Sequence, residues 1–539
     1  MKNTLIFVTV IIFFAIIFFI SDIEGFENLD NSISIKNVKN ISEKEFKNIK
    51  SNRQESVYDL VNMKYKNNEL PHDSKKDAYY IPNYNKEYNF NLFYNKSTTI
   101  KSISNNEKNL IKIIAYNKNK YKVYNISLTN MPIINIELED KNNKNELISD
   151  DYTYGKINIF DNKTKQNKIN ILNESAKLKI RGLSSSQYDK KSYSIQFINS
   201  NSGKEKFIND LLGMDRNSKF ILNSLYEDSS KIRDKLSWDT WKHISQNKDN
   251  TIKMEYVELF INDQYYGIYG LSEMPNEYKL KAQQDSSIIY KIKNDKILPE
   301  LKDLSLDDLK KYGERSVNII YPKSFSNDTL QPLKELSKLI YHTTNEQFEA
   351  SIIDYISIDN CVDYFILLEC AYHIDGLGNN NIFTYDIKSK KFTRTPWDLD
   401  LTWGAYPVWV KDGDVMKELL PDEKIELSKQ LLYKNGNMTK TTTYLEQRLW
   451  QNNVGNFRQK VAKRWKELRS GFLETESFVN YANSLYDEVT ESGAREREHE
   501  RWPDGGYSTD NSFIEKFIRQ RLPYLDSQFL QYLDDSGEN

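Results

Sequence analysis

The sequence predicts an α+β protein built from more than one structural unit. Runs typical of β-strands dominate residues 131–283, whereas helical periodicity dominates most of residues 301–539. The length of 539 residues exceeds the roughly 150 residues of a typical single domain. Hydrophobic residues make up 39% of the chain and aromatic residues 13%, which is enough for large packed cores. Disorder over most of the length is therefore not expected.

Charge and cysteine content exclude several classes of protein. The chain has 75 Lys and Arg against 77 Asp and Glu, and this balance gives no reason to expect a nucleic acid partner. The two cysteines, Cys361 and Cys370, fall on opposite faces of one predicted helix, so no disulfide framework is expected. The five histidines show no zinc-binding spacing. Any bound metal should therefore be held by oxygen ligands.

The N-terminus contains an apolar segment. Residues 4–20 carry no charge and would extend about 26 Å as a helix, slightly less than a typical hydrocarbon core. No small-x-small cleavage site follows, which favours a membrane anchor over residues 1–24; a cleaved export signal is the alternative. Lys2 precedes the segment, while Asp22 and Glu24 follow it. Both interpretations place the globular part outside the cytosol, either membrane-anchored or, if the segment is cleaved, secreted.

Two short regions follow the apolar segment. Residues 25–77 are polar and show little apolar periodicity, which predicts a stalk. Residues 78–130 contain β-rich runs separated by Asn and Lys clusters, which predicts a small antiparallel unit. Exposed tyrosines in this unit leave open a carbohydrate-binding role.

From Met131 onwards the strand pattern becomes regular. The runs MPIINIEL, KINIFD, KLKIRG, KSYSIQF and KFILNS predict five strands, and residues 229–244 predict a helix. Alternation on both sides of Asn262-Asp263 predicts a β-hairpin with a tight turn.

The residues most suggestive of chemistry follow a predicted buried helix over residues 357–372. This helix leads to Asp375 and to the triplet Asn379-Asn380-Asn381, a short hairpin comes next, and Asp398 and Asp400 lie at its exit. In an extended chain these two acids, two residues apart, would point to the same side. Asp375 and Asn380 have the D-x-x-x-x-N spacing of protein kinases, and Asp398 lies where the D-F-G acid would. Phosphoryl transfer needs such a carboxylate base and such oxygen ligands for Mg²⁺. A capped helix followed by a polar turn would produce the same spacing.

Three motifs that occur in order along the chain favour the phosphoryl-transfer interpretation over a capped helix with a polar turn. The R-G-x-S-S motif at residues 181–185, the Y-x-G-x-Y motif at 265–269 and the P-W-D-x-D motif at 396–400 together resemble the spore coat protein H (CotH) kinase-like family over residues 131–530. The resemblance implies an atypical protein-kinase-like fold of two lobes, residues 131–283 and the mostly helical residues 284–539. It also implies Mg²⁺-dependent transfer from ATP to Ser or Thr of proteins, in bacterial members largely of the spore coat.

The resemblance also implies roles for residues of the large lobe. Asp375 is similar to the catalytic base and Asp398 to the Mg²⁺-binding acid. Either Asn380 or Asn381 would be the second metal ligand, since the triplet leaves the register open by one residue. Asp400 is similar to the second acid of the family motif, and would contact the metal or orient Asp398.

In the small lobe the resemblance implies phosphate contacts. The candidates for these phosphate contacts are Arg181, Ser184, Ser185 and Lys191. Lys291 competes for the role of nucleotide-anchoring lysine. Glu273 would pair with that lysine or cap a strand.

Several charged and aromatic positions have a structural explanation. The group Arg233-Asp234-Lys235 could supply an equivalent ion pair, but a solvated face is the more usual interpretation, as it is for residues 494–501. Trp465 and Leu468 are predicted to belong to the core.

The leading hypothesis is an anchored, atypical Ser/Thr protein kinase acting on spore coat or cell-surface proteins with ATP and Mg²⁺. The alternatives are an inactive kinase-like assembly protein and a nucleotidyl transferase on the same fold.

Overall fold

The computed structural model describes residues 31–82, 90–103, 109–139, 151–163, 169–182, 185–282, 286–293, 295–311, 317–377, 380–406, 409–412, 415–418, 422–432 and 444–533. The predicted anchor at residues 1–24 lies outside these ranges. Within them, none of the helices combines the length and the apolarity that a membrane crossing requires.

Residues 31–129 form a β-rich unit of two sheets. One sheet has the strand order β1-β8-β4-β5 and the other the order β2-β9-β10-β11-β7-β6, with β3 also paired to β11. The elements are β1 (Asn31–Ser34), β2 (Asn40–Ile41), α1 (Glu43–Ser51), β3 (Gln54–Glu55), β4 (Asn62–Tyr65), β5 (Asn68–Glu69), β6 (His72–Asp73), β7 (Ala78–Pro82), β8 (Asn91–Tyr94), β9 (Thr99–Ile103), β10 (Leu110–Tyr116) and β11 (Lys120–Thr129).

The prediction of a polar stalk over residues 25–77 is wrong for its described part. β1 pairs with β8 and β2 pairs with β9, so both segments belong to the sheets that residues 78–130 were expected to form alone. Val61, Met63 and Leu70 lie in the core of the unit. The strands here are two to four residues long, and such short strands leave too few apolar positions for a visible period.

A closed seven-stranded barrel follows, in the order β12-β13-β14-β15-β16-β18-β17, and β17 closes it by running parallel to β12. Its elements are β12 (Ile133–Leu138), β13 (Thr153–Asp161), β14 (Asn170–Arg181), β15 (Ser192–Ile198), β16 (Lys219–Asn223), α2 (Arg233–Ile244), β17 (Met254–Ile261) and β18 (Tyr265–Glu273). Alternate side chains, such as Ile134 and Ile136, fill the interior.

The strand and hairpin predictions for this region are confirmed. All five predicted strands are present, and the helix begins four residues later than expected, at Arg233. Asn262 and Asp263 have φ angles of 48° and 56°, as a two-residue type I′ turn requires.

The remainder of the chain is mostly helical and surrounds one helix, α6. A four-stranded sheet, β20-β19-β21-β22, and two small strand pairs accompany the helices. The elements are β19 (Ser287–Ile292), α3 (Leu306–Lys311), β20 (Val317–Tyr321), α4 (Gln331–His342), α5 (Asn345–Tyr355), α6 (Ile358–Ala371), β21 (Asn381–Asp386), β22 (Lys391–Thr395), β23 (Ala405–Tyr406), β24 (Trp409–Asp412), β25 (Val415–Glu418), β26 (Asp422–Glu423), α7 (Tyr444–Gln451), α8 (Phe457–Arg469), α9 (Thr475–Thr490), α10 (Ala494–Arg501) and α11 (Ser512–Phe529).

α6 is buried on every side, from Asn360 to Ala371. It shares one large hydrophobic core with α8 and α11, in which Trp465 and Leu468 are buried as predicted. Cys361 and Cys370 are both free thiols inside this core. The α+β class is therefore confirmed, while the division into two kinase-like lobes stays a prediction.

The predicted solvated face of residues 494–501 is wrong, because α10 buries charged groups against the barrel. Glu498 is 3% exposed, forms an ion pair with Lys190 at 2.7 Å, and accepts a hydrogen bond from the Ile268 N–H at 2.8 Å. Burial lowers the pKa of Lys190 to about 7, although Glu498 opposes this shift. Gly267 leaves the space for this approach, since a Cβ there would clash with Glu498 Oε2.

We expect Gly267→Ala to destabilise the protein strongly. Gly267 has a φ of +99°, and the added methyl group would also displace the Glu498 carboxylate from Lys190. Breaking a buried ion pair costs about 3 to 5 kcal/mol of unfolding free energy. Gly203→Ala is the matched control, because Gly203 has a φ of +65° but open space around its Cβ, so backbone strain of about 1 to 2 kcal/mol is expected there. Equal losses in chemical denaturation would contradict this assignment.

Candidate functional site

The end of α6 places Asp375. Tyr372 takes a left-handed conformation with φ 53° and ends the helix, and the chain then turns back so that Asp375 begins a short 3-10 turn. Asn380 Nδ2 donates a hydrogen bond of 2.6 Å to Asp375 Oδ2. The Asp and the Asn of the predicted D-x-x-x-x-N motif therefore meet directly.

The structure favours Asn380 over Asn381 as a metal ligand. Asn381 is buried, and its Oδ1 accepts hydrogen bonds from the Tyr364 hydroxyl at 2.6 Å and from Arg394. These bonds occupy the atom that would have to bind Mg²⁺ and fix β21 against α6. Asn380 uses its side-chain nitrogen for the hydrogen bond to Asp375, so this bond does not occupy its side-chain oxygen. Asn379 lies outside the described residues.

His373 joins the end of α6 to the segment that carries Asp398. Its ring is fully buried, beside the backbone of Trp397 and Leu401, and burial lowers its pKa to about 4. The imidazole is therefore neutral at pH 7. Gly376 packs so closely on this ring that a Cβ would clash with it.

Asp398 and Asp400 lie in the segment after β22. The sequence predicted an extended chain with both carboxylates on one side, but Asp398 has a φ of 61°, so the backbone turns at this residue. Asp398 is exposed, Leu399 is fully buried, and Asp400 is half-buried with its Oδ1 accepting the Leu401 N–H at 3.0 Å. The turn arises because Leu399 must enter the core between two acids.

α2 supplies an acid that the sequence did not identify. Asp234 is 4% exposed, and its Oδ2 accepts a hydrogen bond of 2.7 Å from Asn223. The Leu399 N–H also lies against this carboxylate, while Oδ1 has no hydrogen-bond partner among the residues that the structure describes. The predicted solvated face of Arg233-Asp234-Lys235 is therefore wrong, since all three side chains are buried. The sequence signal that could have identified Asp234 as a site residue is an acid in the first turn of a helix that follows a strand.

The acids of the site repel one another. Burial raises the pKa of Asp400 well above its usual value, and the charges of Asp398, Glu227, Asp234 and Asp375 raise it further. Burial, followed by the charge of Asp398, raises the pKa of Asp234 to about 7. Five acids from three regions of the chain, residues 227–234, 375 and 398–400, therefore interact electrostatically with one another.

Two cations face these acids across an indole ring. The Arg181 guanidinium lies 5.6 Å and the Lys291 Nζ 4.8 Å from the ring centroid of Trp397. Burial and the neighbouring Arg181 lower the pKa of Lys291 to about 7, and Asp398 opposes the shift. Burial also lowers the pKa of Arg181, against the charges of Asp398, Asp234 and Asp400. The structure thus brings Arg181, Lys291 and Asp398 together.

The loop between β14 and β15 is held close to the acids. Gly182 has a φ of +108° and a Cβ there would clash with Ser185, so the R-G step requires glycine. Lys191 Nζ donates to the carbonyl oxygens of Ser186 and Tyr188, and thus shapes the loop from inside. The Tyr188 hydroxyl donates to Glu227, one of the five acids. Ser184 lies outside the described residues.

Glu273 is not part of this constellation. It is fully buried at the end of β18, where it pairs with Lys279 at 2.8 Å and accepts the backbone N–H groups of Asp215 and Lys253, each at 2.7 Å. The predicted pairing of Glu273 with Lys291 is therefore wrong. The strand end is capped by this carboxylate, which was the alternative interpretation.

The donor set fits a divalent cation that is shared with phosphate groups. Among the described residues no three His, Cys, Asp or Glu side chains are close enough to hold a metal without other ligands. Mg²⁺ commonly takes one or two carboxylates and completes its octahedron with phosphate oxygens and water. Asp398 and the Asn380 oxygen could supply protein ligands of this kind, and a cation beside them would reduce the repulsion among the acids.

We expect Asp234→Asn to stabilise the protein in a pH-dependent manner. The folded-state pKa of about 7 exceeds the ordinary value of 3.8, so between these values the folded state keeps a proton that the unfolded state releases. The stability of the parent should therefore fall as pH rises from about 4 to 7 relative to the variant. At pH 8 the variant should gain about 2 to 4 kcal/mol in unfolding free energy.

Urea denaturation in EDTA at several pH values measures this difference. Asp354→Asn, at an exposed position of α5, is the control and should show no such trend. A stability difference between Asp234→Asn and the parent that does not change with pH would contradict the buried charge.

Comparison with known proteins agrees with the geometry. The family model described as CotH kinase protein matches residues 178–525, from β14 to α11, which is more than half of the chain. The match includes each site residue from Arg181 to Asp400 and leaves out the N-terminal β-rich unit. A search of curated proteins found no significant match. The chain therefore belongs to the CotH kinase family.

Proposed function

We propose that this protein is an ATP- and Mg²⁺-dependent phosphotransferase. One set of observations carries the proposal: Asp375, which is hydrogen-bonded to Asn380, and the exposed Asp398 both interact electrostatically with Asp400, and the cations Arg181 and Lys291 interact with Asp398. A base, oxygen ligands for a metal, and cations for phosphate are the parts that phosphoryl transfer requires. Family membership supports the same conclusion.

Asp375 is the proposed base. It would accept the proton of the acceptor hydroxyl while the bond from that oxygen to the γ-phosphorus forms and the bond to the β-phosphate oxygen breaks. The hydrogen bond from Asn380 at 2.6 Å holds the Asp375 carboxylate in place for this step. Bound Mg²⁺ would supply charge neutralisation for the phosphates, with Asp398 and Asn380 as its protein ligands.

Arg181 and Lys291 are the proposed phosphate contacts. Both lie against the ring of Trp397, the residue that precedes Asp398. A bound triphosphate would favour the protonated form of Lys291, because an anion nearby raises the pKa of a lysine. Lys191 instead donates to a backbone carbonyl between β14 and β15, so its proposed role is in shaping that segment.

The finer features of the function are also proposals. We propose Ser or Thr of coat or cell-surface proteins as acceptors. Family membership supports the kinase-like chemistry, and the acceptor class is what the resemblance to CotH implies. We also propose that the globular part acts outside the cytosol, on the basis of the apolar residues 4–20. The intact mass of the product separates phosphoryl transfer from nucleotidyl transfer.

Asp375→Asn and Asp398→Ala should separate catalysis from binding. Loss of the base should reduce transfer by a factor of about 10² to 10⁴ with nucleotide affinity retained. Loss of the metal ligand should abolish both transfer and the Mg²⁺-dependent part of nucleotide binding. Transfer of radiolabelled phosphate and calorimetric titration with ATP measure the two effects. Asp354→Ala is the control, and a variant of Asp398 that labels as well as the parent would refute the site.

Lys291→Met should raise the KM for ATP about tenfold or more, because it removes one charge-assisted contact to the phosphates. Lys191→Met should mainly reduce the thermal stability of the loop between β14 and β15. The lysine ammonium that this variant loses donates hydrogen bonds to backbone carbonyl oxygens of that loop. The two variants are compared in steady-state kinetics. A larger KM effect at Lys191 would reverse their assignments.

A further inference from the structure

The N-terminal β-rich unit differs in charge from the rest of the chain. Residues 31–130 contain 18 Lys and Arg against 9 Asp and Glu, a net charge of +9, whereas the whole chain has −2. The unit lies outside the residues that match the CotH family. Neither the core of the unit nor the proposed chemistry explains this excess of basic residues.

One corner of the unit collects four basic residues. Arg53 Nε donates to the Asn117 carbonyl at 2.6 Å, which fixes the end of α1 to the turn between β10 and β11. Lys118 and Lys120 project from this turn and are exposed. Lys50 lies 5.3 Å above the ring of Tyr121 in the adjoining strand. We call Lys50, Arg53, Lys118 and Lys120 the basic corner.

The basic corner has little acid to neutralise it. None of its four residues forms a salt bridge within the part of the chain that the structure describes. In the same unit Lys122 pairs with Asp59 at 2.8 Å and Lys47 pairs with Glu43 at 3.1 Å, so these two acids are matched to other lysines. Glu55 is an exposed acid beside Arg53 and accepts the Tyr121 hydroxyl at 3.4 Å, which leaves the corner with an excess of positive charge. Lys118 and Lys120 present this charge to solvent, whereas Lys50 and Arg53 are half-buried against aromatic rings.

An apolar tip lies beside the basic corner. The Ser56 N–H donates to the Tyr121 carbonyl at 2.7 Å, and the next two residues, Val57 and Tyr58, are 88% and 50% exposed. An exposed Val next to an exposed Tyr costs solvation free energy and fills no core. Aromatic and aliphatic side chains flanked by Lys and Arg are typical of surfaces that enter the headgroup region of a bilayer.

We propose that the basic corner and the Val57-Tyr58 tip dock onto a lipid surface with anionic headgroups. The anionic headgroups attract the basic side chains of Lys50, Arg53, Lys118 and Lys120. The Val57-Tyr58 tip enters the headgroup region of the lipid surface. The sequence supports this occupant, because only ten residues separate the apolar segment 4–20 from the first described residue, Asn31. If that segment inserts, the unit is held within reach of the same surface. The docked unit would then fix the distance between the membrane and the transferase site.

A fluorophore at the tip tests this proposal on the full chain. Val57→Cys can be labelled selectively, because Cys361 and Cys370 are buried. The labelled protein is reconstituted into vesicles of phosphatidylcholine alone or mixed with phosphatidylglycerol, so that residues 4–20 meet lipid in both. We expect a blue shift of the emission only with the anionic lipid, and its reversal by salt, since such attraction is screened.

A charge-matched pair of variants tests the corner itself. Each basic residue near an anionic surface contributes about fivefold to binding, so removing all four should weaken docking by up to about 600-fold. The test variant carries Lys50→Gln, Arg53→Gln, Lys118→Gln and Lys120→Gln. The control has the same change in charge at exposed lysines of the family region, Lys338→Gln, Lys388→Gln, Lys463→Gln and Lys466→Gln.

The proposal is overturned by any of three results: an equal shift with phosphatidylcholine alone, an undiminished shift in the test variant, or the same shift with duplex DNA or polyphosphate in place of anionic lipid. The salt titration of the parent does not depend on how well the variants fold, so it remains decisive if the test variant is unstable. Phosphate transfer to a soluble acceptor should be unchanged in the test variant, which separates this proposal from the proposed function.

Discussion

The site depends on the repulsion among five acids that the fold holds together. Glu227 precedes α2 and Asp234 lies in its first turn, Asp375 follows α6, and Asp398 and Asp400 follow β22. The other four acids each raise the energy of ionising Asp400. Carboxylates in such proximity would move apart if the surrounding structure could deform. The rigid parts that prevent this are the buried helix α6, the neutral His373 beside Trp397 and Leu401, and the α2 side chains that bind the segment after β22. Arg181 and Lys291 relieve part of the repulsion, and a divalent cation with its triphosphate would relieve more.

Buried charge also connects the barrel to the helices. Glu498 of α10 reaches Lys190 and the edge of β18 through the space that Gly267 leaves, and Arg497 of the same helix pairs with the buried Glu258. On the other side of the barrel, Glu255 binds Lys163 at 2.7 Å. Burial alone would raise the pKa of Glu255, but Lys235, Lys163 and Lys253 lower it to about 2. Such pairs require precise partners, so they orient α2 and α10 more specifically than apolar contacts would.

Local patterns in the sequence identified the loop after α6 and the segment after β22 as candidates, because turn chemistry and helix periodicity depend on neighbouring residues. The roles predicted for Asp375 and Asp398 came from the resemblance to the CotH family and stay predictions. Asp234 and Glu273 were misassigned because their environment depends on residues far away in sequence, Asn223 with Leu399 in one case and Lys279 in the other. The charged residues of α10 were misassigned for the same reason. A pattern of alternating charge predicts solvent exposure unless another part of the fold supplies the counter-ions, and that information is not local.

The two thiols inside the α6 core have a consequence for the compartments in which the protein can exist. Burial raises the pKa values of Cys361 and Cys370 to about 12, so almost no thiolate forms near neutral pH. Oxidants and disulfide exchange act on the thiolate, and neither sulfur is accessible to them in the folded state. The folded protein is therefore insensitive to the redox potential around it, and would keep the same covalent structure in a reducing cytosol and in an oxidising exterior.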